Sequence, residues 1–190
     1  MLNEREIDGV ISNKLKEDVI TTKNIFEGST LKLRVDTVKL PNNKTHEREI
    51  VDHPGSVAIV PQLEDGRIVL VKQYRQPAKV VTVEIPAGTI TTKEEPDDCA
   101  CRELIEETGY IAGRLKKLFS CYTAPGYSSE KIHIYHASKL KKTVRRPDTD
   151  EFISLLYVDL SKAVDMIKDG EIEDCKTMCG IFGVLHPGIL

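Results

Sequence analysis

Apolar and polar residues alternate along the first third of the chain with the period of β-strands. The alternation is clearest from Leu31 to Val35, where charged residues separate the apolar ones, and it predicts a half-buried strand. The residues before position 25 have only a weak pattern and predict no element. His53-Pro54-Gly55 then interrupts the chain. We therefore predict a small antiparallel β subdomain over residues 1–53 and a second domain over residues 54–190.

After this interruption, apolar strands alternate with amphipathic helices. The predicted strands span residues 56–61, 67–71, 80–85, 115–122, 131–137 and 153–158. Pro86-Ala87-Gly88 is predicted as a turn. A helix is predicted over 96–108, because Pro96 suits a first helical position and Gly109 suits the position after the last. Two more helices are predicted, over 161–168 and 175–185. This mixture predicts a layered fold of the α/β (α+β) class.

Composition and charge narrow the possible classes of protein. The 190 residues are 40% apolar and 30% charged, with a net charge of −3 and a pI of about 6.0, as in ordinary globular proteins. The slight acidity predicts no nucleic-acid partner, and no stretch approaches the roughly 20 apolar residues of a membrane span. Five cysteines without a secretory signal or a C-x-x-C pair predict a reducing compartment, the cytoplasm.

The candidate chemistry lies on the helix predicted over 96–108. Glu103, Glu106 and Glu107 are spaced i, i+3 and i+4, so they share one face of the helix. Three carboxylates so close repel one another unless a cation binds them, and hard divalent ions such as Mg²⁺ favour carboxylate oxygens. A solvated face with ion pairs such as Arg102 with Glu106 is the alternative interpretation.

Residues 88–110, GTITTKEEPDDCACRELIEETGY, resemble the Nudix box, G-x5-E-x7-R-E-U-x-E-E-x-G-U with U apolar. Tyr110 is the one loose match, at the last apolar position. The other defined positions are occupied by Gly88, Glu94, Arg102, Glu103, Leu104, Glu106, Glu107 and Gly109. The resemblance implies an α/β/α sandwich with a mixed β-sheet. It also implies hydrolysis, at the diphosphate, of a nucleoside diphosphate linked to another group.

The same resemblance implies the roles of the box residues. Glu103 and Glu107 would be the main ligands of Mg²⁺, for which Mn²⁺ could substitute. Glu106 would be a third or water-mediated ligand, and the backbone carbonyl of Ala87 would complete the site. Arg102 would pair with Glu94 to hold the loop against the helix, and the backbone at Gly88 would approach the substrate.

Segments outside the box resemble the ADP-ribose pyrophosphatases of the Nudix family, from about Phe26 onward. These segments are VKQYRQP (71–77), VEIPAG (83–88) and a proline, Pro125, 16 residues after Gly109. This resemblance implies a homodimer that exchanges the N-terminal subdomain. The implied substrate contacts are Arg48 and Glu49 at the adenine end and Arg75 at a phosphate or the terminal ribose. Glu84 would be a neighbour of the substrate or the metal, and Glu130 would lie near the terminal ribose or the metals. Pro125 stands at the position that marks the ADP-ribose group.

The general base has three candidates in a late loop, where related enzymes carry a mobile acid. Glu151 is the first choice, and Asp150 and Asp148 are the alternatives; some Nudix enzymes instead use a box glutamate, here Glu106. The implied reaction is hydrolysis of ADP-ribose to AMP and ribose 5-phosphate. The alternatives are hydrolysis of another nucleoside diphosphate sugar such as GDP-mannose, and a non-catalytic Nudix-like ligand sensor.

Overall fold

The computed structural model describes residues 14–147, 151–186 and 188, and they form two compact units. The first unit comprises the described residues up to His53 together with Ala124–Glu130. The second comprises Pro54–Thr123 and the described residues from Lys131 onward. The division predicted from the sequence had left Ala124–Glu130 in the second domain.

The first unit is a three-stranded antiparallel sheet in the order β1-β2-β3. Its strands are β1 (Asp18–Glu27), β2 (Lys32–Lys39) and β3 (Thr45–Asp52). The segment 124–130 joins this unit through the backbone of Val51, whose N–H donates to the Tyr127 carbonyl at 2.8 Å and whose carbonyl accepts from Ser129 at 3.0 Å. Strand β1 was not predicted from the sequence. All ten of its residues are exposed, so burial imposes no alternation on them.

The second unit combines sheets and helices. Its strands are β4 (Ser56–Pro61), β5 (Ile68–Arg75), β6 (Val80–Glu84), β7 (Ala87–Thr89), β8 (Tyr110–Ile111), β9 (Arg114–Tyr122), β10 (Lys131–Ser138), β11 (Lys141–Lys142) and β12 (Ser154–Val158). Three helices are described: α1 (Pro96–Thr108), α2 (Leu160–Lys168) and α3 (Cys175–Leu185). The strands pair in the orders β7-β4-β10-β9, β12-β5-β6 and β11-β8. The β4–β10 pairing is parallel and its neighbours are antiparallel, so the sheet is mixed.

Strand β4 lies at the centre of the second unit, and its apolar residues alternate between two cores. Ala58 and Val60 pack into one core with residues of α2 and α3. Val57 and Ile59 pack into the other with residues of α1. Helices therefore cover both faces of the sheet, which confirms the predicted mixed α/β sandwich. None of the three described helices has both the length and the apolar character needed to cross a bilayer.

Two local predictions, one at the C-terminal end of α1 and one in the segment after β6, have different outcomes. The helix ends at Gly109, which has the left-handed φ of 71° that favours glycine and caps the helix through its N–H to the Ile105 carbonyl. Ala87 and Gly88, predicted as part of a turn, instead form the short strand β7. This strand pairs with β4, with Gly88 opposite Val57. The ladder hydrogen bonds of β4 decide this conformation, and the local sequence does not reveal them.

Candidate active site

Arg102 fixes helix α1 to the loop that precedes it. Its Nε donates to Glu94 Oε1 at 2.8 Å and its Nη2 donates to Glu94 Oε2 at 3.0 Å, which confirms the predicted pairing. The hydrogen bonds from Arg102, together with those from Thr91, lower the pKa of Glu94 to about 2. The loop carboxylate is therefore committed to an ion pair and is not available as a base near neutral pH.

The same guanidinium contacts two more carboxylates of the box. Its Nη1 donates to Glu103 Oε1 at 2.6 Å and to Glu106 Oε2 at 2.8 Å. The shared acidic face and the Arg102–Glu106 ion pair are thus both present. Among the described residues, no three acidic, thiol or imidazole groups are already arranged around a single ion position. Glu103 and Glu106 would have to turn from Arg102 to hold an ion together with Glu107.

Glu107 is the most buried carboxylate of the box, with 1% of its surface exposed. Its Oε2 accepts a hydrogen bond from the backbone N–H of Ala87 at 3.1 Å. Burial, followed by the charges of Glu151 and Glu103, raises the pKa of Glu107 to about 8. Burial also raises the pKa of Glu103. Buried carboxylates that resist ionisation are stabilised as anions by a hard cation, so this donor set fits Mg²⁺.

Gly88 provides the space that Glu103 occupies. A Cβ atom at position 88 would lie 1.9 Å from the carboxyl group of Glu103. The absence of a side chain there lets the Glu103 carboxylate lie against the backbone of β7. The substrate contact of Gly88 stays a prediction.

The candidate bases are only partly described by the structure. Glu151 lies near the box carboxylates, since its charge raises the pKa of both Glu103 and Glu107. Asp148 and Asp150 lie outside the described residues. Glu106 contacts Arg102, as described above. The base therefore remains a prediction, and Glu151 is the loop candidate whose position is known.

Arg75 and Glu84, two predicted substrate contacts, bind each other. Arg75 ends β5 and Glu84 ends β6, and the guanidinium donates to both carboxylate oxygens, at 2.8 and 2.7 Å. Lys176, on α3, forms a second ion pair with Glu84. Burial alone would raise the pKa of Glu84, but the bonds from Arg75 and the charge of Lys176 outweigh it and lower the pKa to about 2.

These groups line a pocket of about 390 Å³ whose other lining residues are Ala78, Val80, Thr82, Glu173 and Asp174. Sequence reasoning missed Lys176. It lies 92 residues from Glu84 along the chain, and no spacing rule links a single lysine of the last helix to the end of β6.

The remaining predicted contacts belong to the first unit. Arg48 and Pro125 line one pocket of about 280 Å³, together with Glu17, Ile50, Gly126, Tyr127, Ser128 and Ser129. The Arg48 guanidinium binds the Glu17 carboxylate through two hydrogen bonds. Glu49 is the exposed neighbour of Arg48 on β3, so its side chain projects from the opposite face of the sheet. The Oε1 atom of Glu130 lies 3.9 Å from the Nδ1 atom of His53. Glu17 was missed because the residues before position 25 predict no element.

Comparisons with known proteins agree with the motif and the fold. The NUDIX domain matches residues 52–178, which is more than half of the chain. The ADP-ribose pyrophosphatase of Bacillus subtilis (strain 168) is 42% identical over 169 residues, covering 88% of this chain and 91% of that protein. The methanol dehydrogenase activator of Bacillus methanolicus is 44% identical over 168 residues, covering 87% and 91%.

A solved structure supports the same fold. The crystal structure of an ADP compounds hydrolase superposes with a TM-score of 0.80 at 22% identity, covering 90% of this chain and 93% of that one. Three findings indicate the same family: the carboxylates bound to Arg102, the α/β/α sandwich, and the family match over residues 52–178. The chain belongs to the Nudix family.

Proposed function

We propose that this protein hydrolyses the diphosphate of ADP-ribose to AMP and ribose 5-phosphate, with Mg²⁺ as the cofactor and Mn²⁺ as a substitute. The observation that carries the proposal is the 42% identity to an ADP-ribose pyrophosphatase across 91% of that protein. The geometry adds support, because the second unit holds a complete Nudix box with two buried carboxylates, Glu103 and Glu107.

The proposed metal ligands are Glu103, Glu106, Glu107 and the carbonyl of Ala87. When bound, Mg²⁺ would neutralise charge on the diphosphate and favour ionisation of the attacking water. Arg102 has a positioning role, because it holds α1 to the loop through Glu94 and lies against Glu103 and Glu106. In the absence of the ion, Arg102 binds Glu103 and Glu106, and the ion would compete with Arg102 for these two carboxylates.

Glu151 is the proposed general base. Its carboxylate lies near Glu103 and Glu107, where it can accept the proton of the attacking water. A Glu151→Gln variant cannot accept this proton, so its turnover should fall by about 100-fold or more while substrate binding is retained. A larger loss of turnover in Glu106→Gln, with normal metal affinity, would move the assignment to Glu106.

The proposed substrate contacts are grouped by unit. On the second unit, Arg75 and Lys176 carry the positive charge that a phosphate requires, and Glu84 balances both until a ligand arrives. Gly88 would contribute backbone contacts there. On the first unit, Arg48, Glu49, Pro125 and Glu130 are proposed as contacts, with the pocket beside Arg48 as the supporting feature.

A substrate panel tests the function directly. The purified protein would be incubated with ADP-ribose, GDP-mannose, ADP-glucose, NADH and 8-oxo-dGTP, with Mg²⁺ or with EDTA, and the products separated by chromatography. We expect AMP release from ADP-ribose that requires the divalent ion. Preference for GDP-mannose would support the alternative sugar-nucleotide hydrolase. Tight binding without turnover would support the ligand sensor.

A second candidate function follows from the relative named as a methanol dehydrogenase activator, which is 44% identical over 87% of this chain. In this case the protein would raise the turnover of an alcohol dehydrogenase. The test is a dehydrogenase assay with and without the protein, in which Glu107→Gln separates an effect that requires hydrolysis from one that requires only binding.

We also propose a cytoplasmic homodimer. Strand β1 is an edge strand with exposed apolar side chains, and such an edge can pair with a second copy. These side chains are Val19, Ile20, Ile25 and Phe26. Light scattering should give twice the chain mass of 21.3 kDa, and Phe26→Asp should lower the measured mass toward that of one chain. All five cysteines are free thiols, which supports a reducing compartment.

A further inference from the structure

Ile85 and Pro86 form the short connection between β6 and β7, and this connection leads directly into the proposed metal site. Ile85 is fully buried, so its backbone N–H needs a partner within the protein. The Pro86 carbonyl accepts a hydrogen bond from the N–H of Ile59 at 2.9 Å. The next residue is Ala87, whose N–H donates to Glu107 and whose carbonyl is a proposed metal ligand.

A side chain of the last helix supplies the partner of the Ile85 N–H. Thr177, in the first turn of α3, is fully buried and accepts this hydrogen bond through Oγ1 at 2.8 Å. The same hydroxyl donates to Asp174 Oδ2 at 2.5 Å. A hydroxyl has one proton, and because this proton points to Asp174, the oxygen lone pairs are left to accept from Ile85. Asp174 is itself fixed as the N-cap of α3, since it also accepts from the backbone N–H of Thr177 at 3.0 Å.

Helix α3 also packs closely on the side chain of Ile85. A Cβ atom at Gly180, one turn after Thr177, would lie 2.9 Å from Ile85 Cδ1. The absence of a side chain at position 180 therefore lets the helix approach Ile85. Apolar packing and a buried hydrogen bond hold the same residue against α3.

The backbone between Ile85 and Ala87 has little torsional freedom. Proline fixes its own φ near about −65° and restricts the residue before it to extended conformations. Pro86 therefore limits rotation on both sides of the peptide bond that joins it to Ile85. A displacement of Ile85 is transmitted to Ala87, because few torsions between them can absorb it.

We propose that Thr177 is a positioning residue of the metal site, which fixes the N–H and the carbonyl of Ala87 through its hydrogen bond to Ile85. The N–H holds the Glu107 carboxylate, so both groups of Ala87 bear on the ligand set. The inference rests on the proposed function for the role of these ligands. No local sequence signal indicates it, because Thr177 lies 92 residues after Ile85.

The hydrogen bond is tested first in the metal-free protein, by hydrogen–deuterium exchange of backbone amides measured by NMR. The Ile85 amide should be protected in wild type, although Ile85 lies in neither β6 nor β7. In Thr177→Val it should exchange about tenfold or more faster relative to the amides of β4, whose exchange reports global unfolding. Thr177→Ser retains the hydroxyl and should restore the protection. An unprotected Ile85 amide in wild type would overturn the proposal, even if Thr177→Val does not fold.

The effect on the metal site is measured without substrate, as the affinity for Mn²⁺ by electron paramagnetic resonance. Thr177→Val should bind Mn²⁺ about tenfold more weakly than wild type, and Thr177→Ser should bind it with nearly wild-type affinity. Thr22→Val is the control, because it removes a hydroxyl that donates to the buried Asp36 at 2.7 Å in the first unit. Its Mn²⁺ affinity should be unchanged. Wild-type affinity in Thr177→Val, or an equal loss in Thr22→Val, would overturn the positioning role.

Hydrolysis of ADP-ribose separates the failure of this proposal from that of the proposed function. Turnover of Thr177→Val at low Mg²⁺ should fall about tenfold or more and recover in part as Mg²⁺ is raised. A wild type that binds Mn²⁺ but does not hydrolyse ADP-ribose would contradict the proposed function and leave the affinity result standing. An active wild type, with equal Mn²⁺ affinity in Thr177→Val, would contradict the positioning role alone.

Discussion

The acidic residues of the Nudix box differ in their partners, and this difference decides how each responds to substitution. Glu94 and Glu106 are ion-paired to Arg102. Glu107 is 1% exposed, and its carboxylate accepts a hydrogen bond from the backbone N–H of Ala87. A buried carboxylate held mainly by one neutral donor is costly to ionise. Glu107 is therefore the position at which a cation changes the energetics most.

Replacing Glu107 with glutamine should separate activity from stability. The neutral amide is a poor ligand for Mg²⁺, so turnover should fall by about 100-fold or more. The same change removes a buried charge, so the variant should be more stable than wild type above pH 8 without divalent ions. Kinetics and urea unfolding measure the two effects, and Glu64→Gln, at an exposed turn, is the control. Normal turnover would contradict the metal assignment.

Replacing Gly88 with alanine tests the space that Glu103 occupies. The new Cβ would overlap the carboxyl end of a flexible side chain, so Glu103 should move while the backbone stays in place. We expect little change in Tm but a fall in turnover of about tenfold or more, because a displaced ligand is misaligned. Circular dichroism melting and steady-state kinetics give the two numbers. A large loss of Tm with unaltered turnover per folded molecule would show that the position is purely structural.

Helix α1 and the loop before it act as one element because a single arginine bridges them. Replacing Arg102 with lysine keeps the charge but removes the planar fork that binds both oxygens of Glu94. We expect the free energy of unfolding to fall by about 1–2 kcal/mol. Arg67→Lys is the matched control, because Arg67 donates through Nε and Nη2 to one oxygen of Asp65 in an exposed turn, where solvent screens the pair. Equal losses in the two variants would contradict the bridging role.

Elements with local end signals were predictable from the sequence, whereas those formed by distant partners were not. Helix 96–108 was predicted with its observed bounds, because Pro96 and Gly109 are signals within the segment itself. Strand β1 was missed because its exposed residues carry no periodic pattern. The contacts of the site show the same distinction between local and distant partners. The Arg102–Glu94 pair followed from the motif, but Lys176 reaches Glu84 from 92 residues away, and Glu17 reaches Arg48 from 31.

At the scale of the whole molecule, different buried ionisable groups change the stability of the protein in opposite directions as the pH rises. Burial lowers the pKa of His133 and His136, so their contribution to stability increases with pH up to about 6.5. The pKa of Glu84 is lowered to about 2, so its contribution is lost only as the pH falls below its ordinary value of 4.5. Burial raises the pKa of Cys179 to about 11. Among the buried carboxylates, Glu107 is therefore the one whose raised pKa, about 8, falls between pH 6.5 and 8.5.

Within that interval, the protein without divalent ions should lose stability as the pH rises. The pKa of Glu107 is raised from 4.5 to about 8, so the native state binds a proton that the unfolded chain releases. The stabilisation is complete below pH 4.5 and is lost as the pH passes 8, which amounts to roughly 2 kcal/mol between pH 6.5 and 8.5. Mg²⁺ competes with this proton, so its stabilising effect should grow with pH.

Urea unfolding under reducing conditions, with EDTA or with Mg²⁺, measures both slopes, and Glu107→Gln should flatten them. A Mg²⁺ effect that is the same at pH 6.5 and 8.5 would show that the ion does not replace a proton at this carboxylate.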